Sequence, residues 1–231
     1  MRMYVSALSI LAVLFLVPIS HAGTSNLQPI TEGQDYTALK VPQPVETGNK
    51  IEVVEFFWYR CPHCNHLRPA LEAWAKKLPK DTELRYVPAV FNNQWQPGAK
   101  IFYALQDVGA LDRLHDKVFE AYHVQNINLN DEATLFSWIE KQGVDRAKFE
   151  AAYNSFSTQS RVMKGAQSAR NAGINGVPAL MVGGKFITSQ AQTITEERLF
   201  ETLDYLIQKI RQERAPKSHK AGTRSVARHK K

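Results

Sequence analysis

The sequence predicts an α/β fold interrupted by an all-helical insertion, and three observations carry that prediction. Residues 51–90 read as strand, helix, strand. Five helical segments without strand signal follow. A β-hairpin and one more amphipathic helix then close the pattern. The outer pieces make one layered α/β domain, and the helical block lies between them. With 231 residues, 44% of them hydrophobic, the chain can bury a sizeable core in one domain carrying such an insertion.

Each element has a local reason. Residues 36–39 form a short edge strand. Ile51–Phe57 is β-branched and aromatic and close to continuously apolar, as expected of a central strand covered on both faces. In the next segment Leu67, Leu71, Trp74 and Leu78 recur at helical spacing and define one apolar face. Pro62 suits the first turn of that helix, where its missing N–H costs nothing. Pro69 falls inside it and predicts a kink. A second strand covers 84–90. Helices are expected near 99–108, 111–123, 131–142, 146–154 and 158–172, with Asn130 capping the third and Gly109, Gly143 and Gly173 marking ends. Residues 179–182 and 185–188 flank Gly183-Gly184 as a hairpin. The final helix, 195–212, buries Leu199, Leu203, Leu206 and Ile210.

The termini have a different character. Arg2 and the uncharged apolar run from Val5 to Val17 precede Ser20-His21-Ala22, a small-x-small cleavage pattern. Residues 1–22 are therefore expected to be a secretory signal peptide, cut after Ala22; an uncleaved membrane anchor is the alternative. The apolar run is short for a bilayer span. The chain carries a formal charge of +7, and the stretch from Arg211 to Lys231 alone holds eight Lys and Arg against Glu213. The body is therefore near neutral, and the basic balance gives no reason to expect nucleic-acid binding. The tail, 213–231, lacks apolar periodicity and is expected to be disordered. It is either a solvated charge block or a contact for anionic headgroups.

The two cysteines stand three positions apart, in Cys61-Pro62-His63-Cys64. A secreted domain stapled by disulfides spreads more of them along the chain. Two cysteines at a helix start can close a small redox-active ring. Cys61 lies where backbone N–H groups and the helix dipole favour a thiolate. Cys64, one turn further in, is the buried resolving partner. His63 adds positive potential beside the sulfur, which stabilises the reduced form and makes the disulfide more oxidising. A zinc site using Cys61, Cys64 and His66 lacks the second ligand pair of zinc fingers. A structural disulfide closing so short a loop contributes little stability. Gly176-Val177-Pro178 precedes a strand, so Pro178 is either a cis-proline or an ordinary trans residue at a strand start.

Glu55-Phe56-Phe57 six residues before the first cysteine, the Cys-Pro-His-Cys site, the helical block and the Gly-Val-Pro loop stand in the order of the DsbA family. The chain resembles these periplasmic thiol–disulfide oxidoreductases over about residues 33–212. The resemblance implies a thioredoxin fold spanning 23–94 and 172–212, with a helical domain inserted at 95–171. It implies that Cys61 is the exposed sulfur attacked by substrate thiolates, that Cys64 resolves the mixed disulfide, and that Pro62 and His63 tune the potential. Val177 and Pro178 would face the disulfide and bind substrate backbone, and Glu55 would be a buried proton acceptor; a strand-exposed carboxylate is the alternative for Glu55. Arg85 would stand for a basic residue of the adjacent strand. The implied protein is a periplasmic monomer with no cofactor beyond its Cys61–Cys64 disulfide. Its implied partners are unfolded secreted proteins with reduced cysteines and a DsbB-like membrane quinone reductase. Two rivals remain. One is a disulfide isomerase or reductase, for whose usual N-terminal dimerisation domain the 38 residues between Ala22 and Cys61 leave no room. The other is a peptide-binding or chaperone module without catalysis.

Overall fold

The computed structural model describes residues 28–215. The expected signal peptide, 1–22, and nearly all of the basic tail lie outside the described residues. Five strands form one mixed sheet in the order β1-β5-β4-β2-β3. These are β1 (Thr37–Ala38), β2 (Ile51–Phe57), β3 (Thr82–Pro88), β4 (Ala179–Val182) and β5 (Phe186–Thr188). β2 pairs in parallel with β3, through the helix α1 (Pro62–Ala75), and antiparallel with β4. Between β3 and β4 the chain leaves the sheet for five helices: α2 (Gln96–Asp107), α3 (Leu111–His123), α4 (Glu132–Lys141), α5 (Arg146–Tyr153) and α6 (Phe156–Asn171). A short α7 (Gln190–Thr193) and the long α8 (Glu196–Arg214) complete it. This is the expected α/β layer with a helical block between its halves.

All seven residues of β2 are buried, so the strand has helices on both faces. Ile51 and Val53 pack with Leu67 and Leu71 of α1 and with Leu199, Leu203 and Leu206 of α8. Val54 and Phe56 face the other way, towards Ala169 and Ala172 at the end of α6. Phe57 ends the strand inside a third cluster, built with α2 and α3. The hairpin turn depends on its glycines. Gly183 and Gly184 have φ of 57° and 66°, and Val182 O accepts from Lys185 N at 3.0 Å, which is a type I′ turn. A Cβ on Gly184 would stand 2.1 Å from the Gln43 carbonyl oxygen.

Several boundaries differ from expectation for identifiable reasons. α1 runs unbroken through Pro69 but ends at Ala75, so Leu78 reaches the core from a turn. Pro79 disfavours helical geometry at the residue before it. β3 begins and ends two residues earlier than expected. α2 starts at Gln96 because Pro97 fits its first turn. Asp131, not Asn130, caps α4: its carboxylate accepts from Thr134 N at 2.9 Å, while Asn130 Oδ1 accepts from the Tyr122 hydroxyl. Ser155 caps α6, which begins at Phe156, two residues before the expected start. α7 carried no period long enough to detect. Among the described residues no helix is long and apolar enough to cross a membrane.

Candidate active site

The site lies where β2 stops and α1 begins. Phe57 O accepts from Ala89 N and Trp58 O from Cys61 N, both within 2.9 Å, so the chain turns at once from strand to helix. Cys61 takes the N-cap position with extended backbone (φ −79°, ψ 117°), and Pro62 follows in the first turn. The Cys61 sulfur therefore does the work of a capping oxygen. It accepts from Cys64 N at 3.4 Å. A sulfur held there is stabilised when negative. The hydrogen bond from the Cys64 thiol contributes most, opposed by burial. The backbone N–H groups of Cys64 and His63 and the charge of His63 add to it, and together they bring the Cys61 thiol down to about 6.

Cys64 stands in the opposite situation. It is fully buried, and burial pushes its thiol well above the ordinary cysteine value. Its hydrogen bond to Cys61 and the negative charges of Glu55 and Cys61 act the same way. The two sulfurs are free thiols and differ in acidity because one caps a helix and the other lies beneath it. The Cys61 thiol also donates to Val177 O at 3.4 Å, which brings the loop before β4 against the first cysteine. The Val177–Pro178 peptide is cis. Beside them His63, Ile174, Val177, Pro178, Ile187 and Ile194 help line a groove of about 540 Å³. Ile194 is 84% exposed there.

Glu55 is buried on the face of β2 that looks towards the cysteines. Burial and then the negative charge of Cys61 push its carboxyl up to about 8, against the pull of Arg68. At neutral pH it holds a proton. Its neighbour across the ladder is Tyr86, not Arg85. Arg85 pairs with Val54 and so lies on the opposite face, where it donates to Glu52 at 2.9 Å and to Glu46 at 2.6 Å. Its expected contribution to the site is thereby corrected: successive side chains of a strand point to opposite faces. The cation that acts on Glu55 is Arg68 of α1, tied to Asp116 of α3 at 2.6 Å.

The inserted helices supply contacts that the sequence reading missed. Tyr59 is buried, and its hydroxyl is hydrogen-bonded to His115 Nδ1 at 2.8 Å. Burial brings His115 down to about 4, so it is neutral. His123 Nε2 donates to Tyr59 O at 2.8 Å. His115, Phe119 and His123 recur every four residues, and that spacing is the one signal that could have marked this face of α3. Their partner is 56 and 64 residues away. His66, the third side chain of the zinc alternative, is exposed and lies 3.2 Å from Glu196. Among the described residues no group of three or more His, Cys, Asp or Glu is placed to hold a metal ion.

The arrangement suits thiol–disulfide exchange: an acidic thiol at the helix start, a far less acidic one beneath it, and a protonated acid below both. Cys61, expected to be exposed, is only 7% so, because the Val177 loop packs against it. Comparisons agree with that reading. A family model described as DSBA-like thioredoxin domain matches residues 52–200. The thiol:disulfide interchange protein DsbA of Bordetella parapertussis is 43% identical over 173 residues, covering 73% of this chain and 81% of the relative. That of Burkholderia cepacia is 36% identical, covering 82% and 91%. The crystal structure of Pseudomonas aeruginosa DsbA superposes with a TM-score of 0.76 at 35% identity, covering 80% of this chain and 96% of that one. The oxidoreductase NmDsbA1 of Neisseria meningitidis gives 0.70 at 34% identity, covering 79% and 95%. This chain, a thioredoxin-like α/β protein with a helical insertion, belongs to the family of DSBA-like thioredoxin domains.

Proposed function

We propose that this protein is a net dithiol oxidant that passes its Cys61–Cys64 disulfide to newly secreted proteins in the periplasm. The observation that carries the reading is the opposed acidity of the two cysteines, with Cys61 at about 6 and Cys64 pushed up. A couple whose reduced form keeps a stable thiolate gives up its disulfide readily.

The step balances as follows. A substrate thiolate attacks Cys61 Sγ, a new sulfur–sulfur bond forms, and the Cys61–Cys64 bond breaks. Cys64 leaves as a thiolate in a buried site that disfavours charge, and it takes a proton from Glu55, which is protonated at neutral pH. A second substrate thiolate then attacks its own sulfur in the mixed disulfide. Cys61 departs as a thiolate already stabilised by the helix start. Two electrons have moved from substrate to enzyme. Pro62 begins the helix, His63 lowers the Cys61 thiol, and Val177 with Pro178 forms the wall against which an extended substrate strand lies. No cofactor enters this cycle. Reoxidation falls to a DsbB-like membrane quinone reductase, and the protein acts as a monomer.

Two measurements test this. Cys61→Ser is expected to abolish oxidation of a reduced unfolded substrate, and wild-type activity in that variant would sink the mechanism. The redox equilibrium of the pair against glutathione is expected to lie on the oxidising side. A strongly reducing couple would instead assign the protein to the reductases or isomerases. Full peptide binding after alkylation, with no oxidation beforehand, would make it a binding module.

A further inference from the structure

A second cleft of about 650 Å³ opens beside the reactive cysteine, and it shares no lining residue with the groove at the Val177–Pro178 loop. Arg60 and Pro62 form its catalytic-side wall. Gln94, ahead of α2, the end of α3 with Tyr122 and His123, and the α3–α4 loop with Asn126, Ile127, Asn128 and Asn130 form the rest. We propose that this cleft is a substrate subsite that binds the main chain of the incoming polypeptide next to its reacting cysteine. The inference deepens the reading of the site as a thiol–disulfide exchanger and rests on it.

The hydrogen-bonding groups in the cleft are already oriented. Asn126 Nδ2 donates to Val124 O at 3.4 Å, which leaves its Oδ1 to accept from a ligand. Asn130 Oδ1 accepts from the Tyr122 hydroxyl at 2.8 Å, and Asn128 Oδ1 accepts from Asn130 N at 3.3 Å. Both of these amides are left with Nδ2 as a donor. The loop thus presents one acceptor and two donors. An extended chain offers the complement, because every residue but proline carries one N–H and one C=O. Asn126 makes this possible through its left-handed backbone, φ 54°, which asparagine tolerates better than most residues.

Charge points to the same ligand. No acidic side chain lines the cleft, so carbonyl oxygens meet no repulsion there. Arg60 is held at its edge with its guanidinium 5.7 Å from the Trp58 ring centre, and Trp58 stacks on Trp95 at 4.1 Å and 8°. Its remaining N–H groups can donate to a carbonyl. Recognition through amides is independent of sequence, which suits an oxidant that must accept many unfolded chains.

The experiment compares a reduced two-cysteine peptide having long uncharged flanks with dithiothreitol, which undergoes the same chemistry without a backbone. The variants are Gln94→Ala and the double change Asn126→Gly with Asn128→Ala; glycine keeps the left-handed backbone. The kcat/KM for the peptide, relative to that for dithiothreitol, is expected to fall roughly tenfold in the double variant and about threefold in Gln94→Ala, chiefly through KM. An unchanged ratio in both variants would overturn the proposal. So would an equal fall for both substrates, which would mean that the loop shapes Cys61 instead. A loss seen only with a peptide of glutamate-rich flanks would show that Arg60 selects charge and would equally overturn it. If the wild-type protein oxidises neither substrate, the reading of the site itself fails.

Discussion

β2 buries two carboxylates three residues apart, and the protein treats them in opposite ways. Glu52 is 1% exposed and Glu55 is 3% exposed. Glu52 lies on the α6 face, where its Oε2 accepts from Glu46 N at 2.8 Å and from Arg85 at 2.9 Å, and Arg85 and Lys164 also hold Glu46. Glu55 lies on the α1 face with no direct ion pair among the described residues, and burial pushes its carboxyl to about 8. The same side chain on the same strand is a paired anion on one face and a neutral acid on the other. A buried carboxylate either finds a cation and N–H donors or keeps its proton. The first solution anchors the segment before β2 to the sheet. The second leaves a proton beside a sulfur that must accept one.

The largest expected effect comes from breaking the paired face. Arg85→Leu strands Glu52 with a single backbone donor, and chemical denaturation should show a loss of about 3–4 kcal/mol. The redox equilibrium with glutathione should not move, because Arg85 lies across the sheet from the cysteines. A shifted equilibrium would mean that the two faces are coupled. Slightly smaller is the effect of removing the unpaired acid. Glu55→Gln should stabilise the protein by about 3 kcal/mol at pH 7. The sign follows from the shift. Between about pH 4.5 and 8 the folded protein keeps a proton that the unfolded chain has lost, so wild-type stability declines as pH rises through that window. The gain in Glu55→Gln should therefore vanish below pH 4.5. Denaturation at pH 4 and pH 8 checks it, and equal gains at both would contradict the assignment. The same variant should slow disulfide transfer by about 100-fold, the lower end of the scale for one proton-transfer group. The smallest effect concerns His63, one of the lesser causes acting on Cys61. In His63→Ala the Cys61 titration, followed by thiolate absorbance, should rise from about 6 by less than about one unit, under about 1.4 kcal/mol.

Much of the fold was legible because it rests on local signals. The five apolar residues among the seven of β2, the Pro62 helix start, the glycine hairpin turn and the period of Leu199, Leu203 and Leu206 each identify their element without reference to the rest of the chain. Boundaries slipped where a cap or a proline competed with the period: Asp131 displaced Asn130, and α1 ended ahead of Pro79. Arg85 was misplaced because sequence alignment cannot tell which side of a strand a residue faces when the register is unknown. The α3 contacts to Tyr59 were invisible because hydrogen bonds over 56 and 64 residues leave no local pattern.

By itself the sequence determined the order of elements, the helix-start position of Cys61 and the burial of Cys64 one turn behind it, because capping and helical periodicity act within a few residues. Only the tertiary structure decided which acid would be neutral. That outcome depends on the β2–β3 register, which sends Arg85 to Glu52 and puts Tyr86 beside Glu55, and on α3, whose Asp116 holds the Arg68 that acts on Glu55. A proton's affinity for a carboxylate is set by what surrounds it in three dimensions, and those neighbours come from strands and helices far apart along the chain.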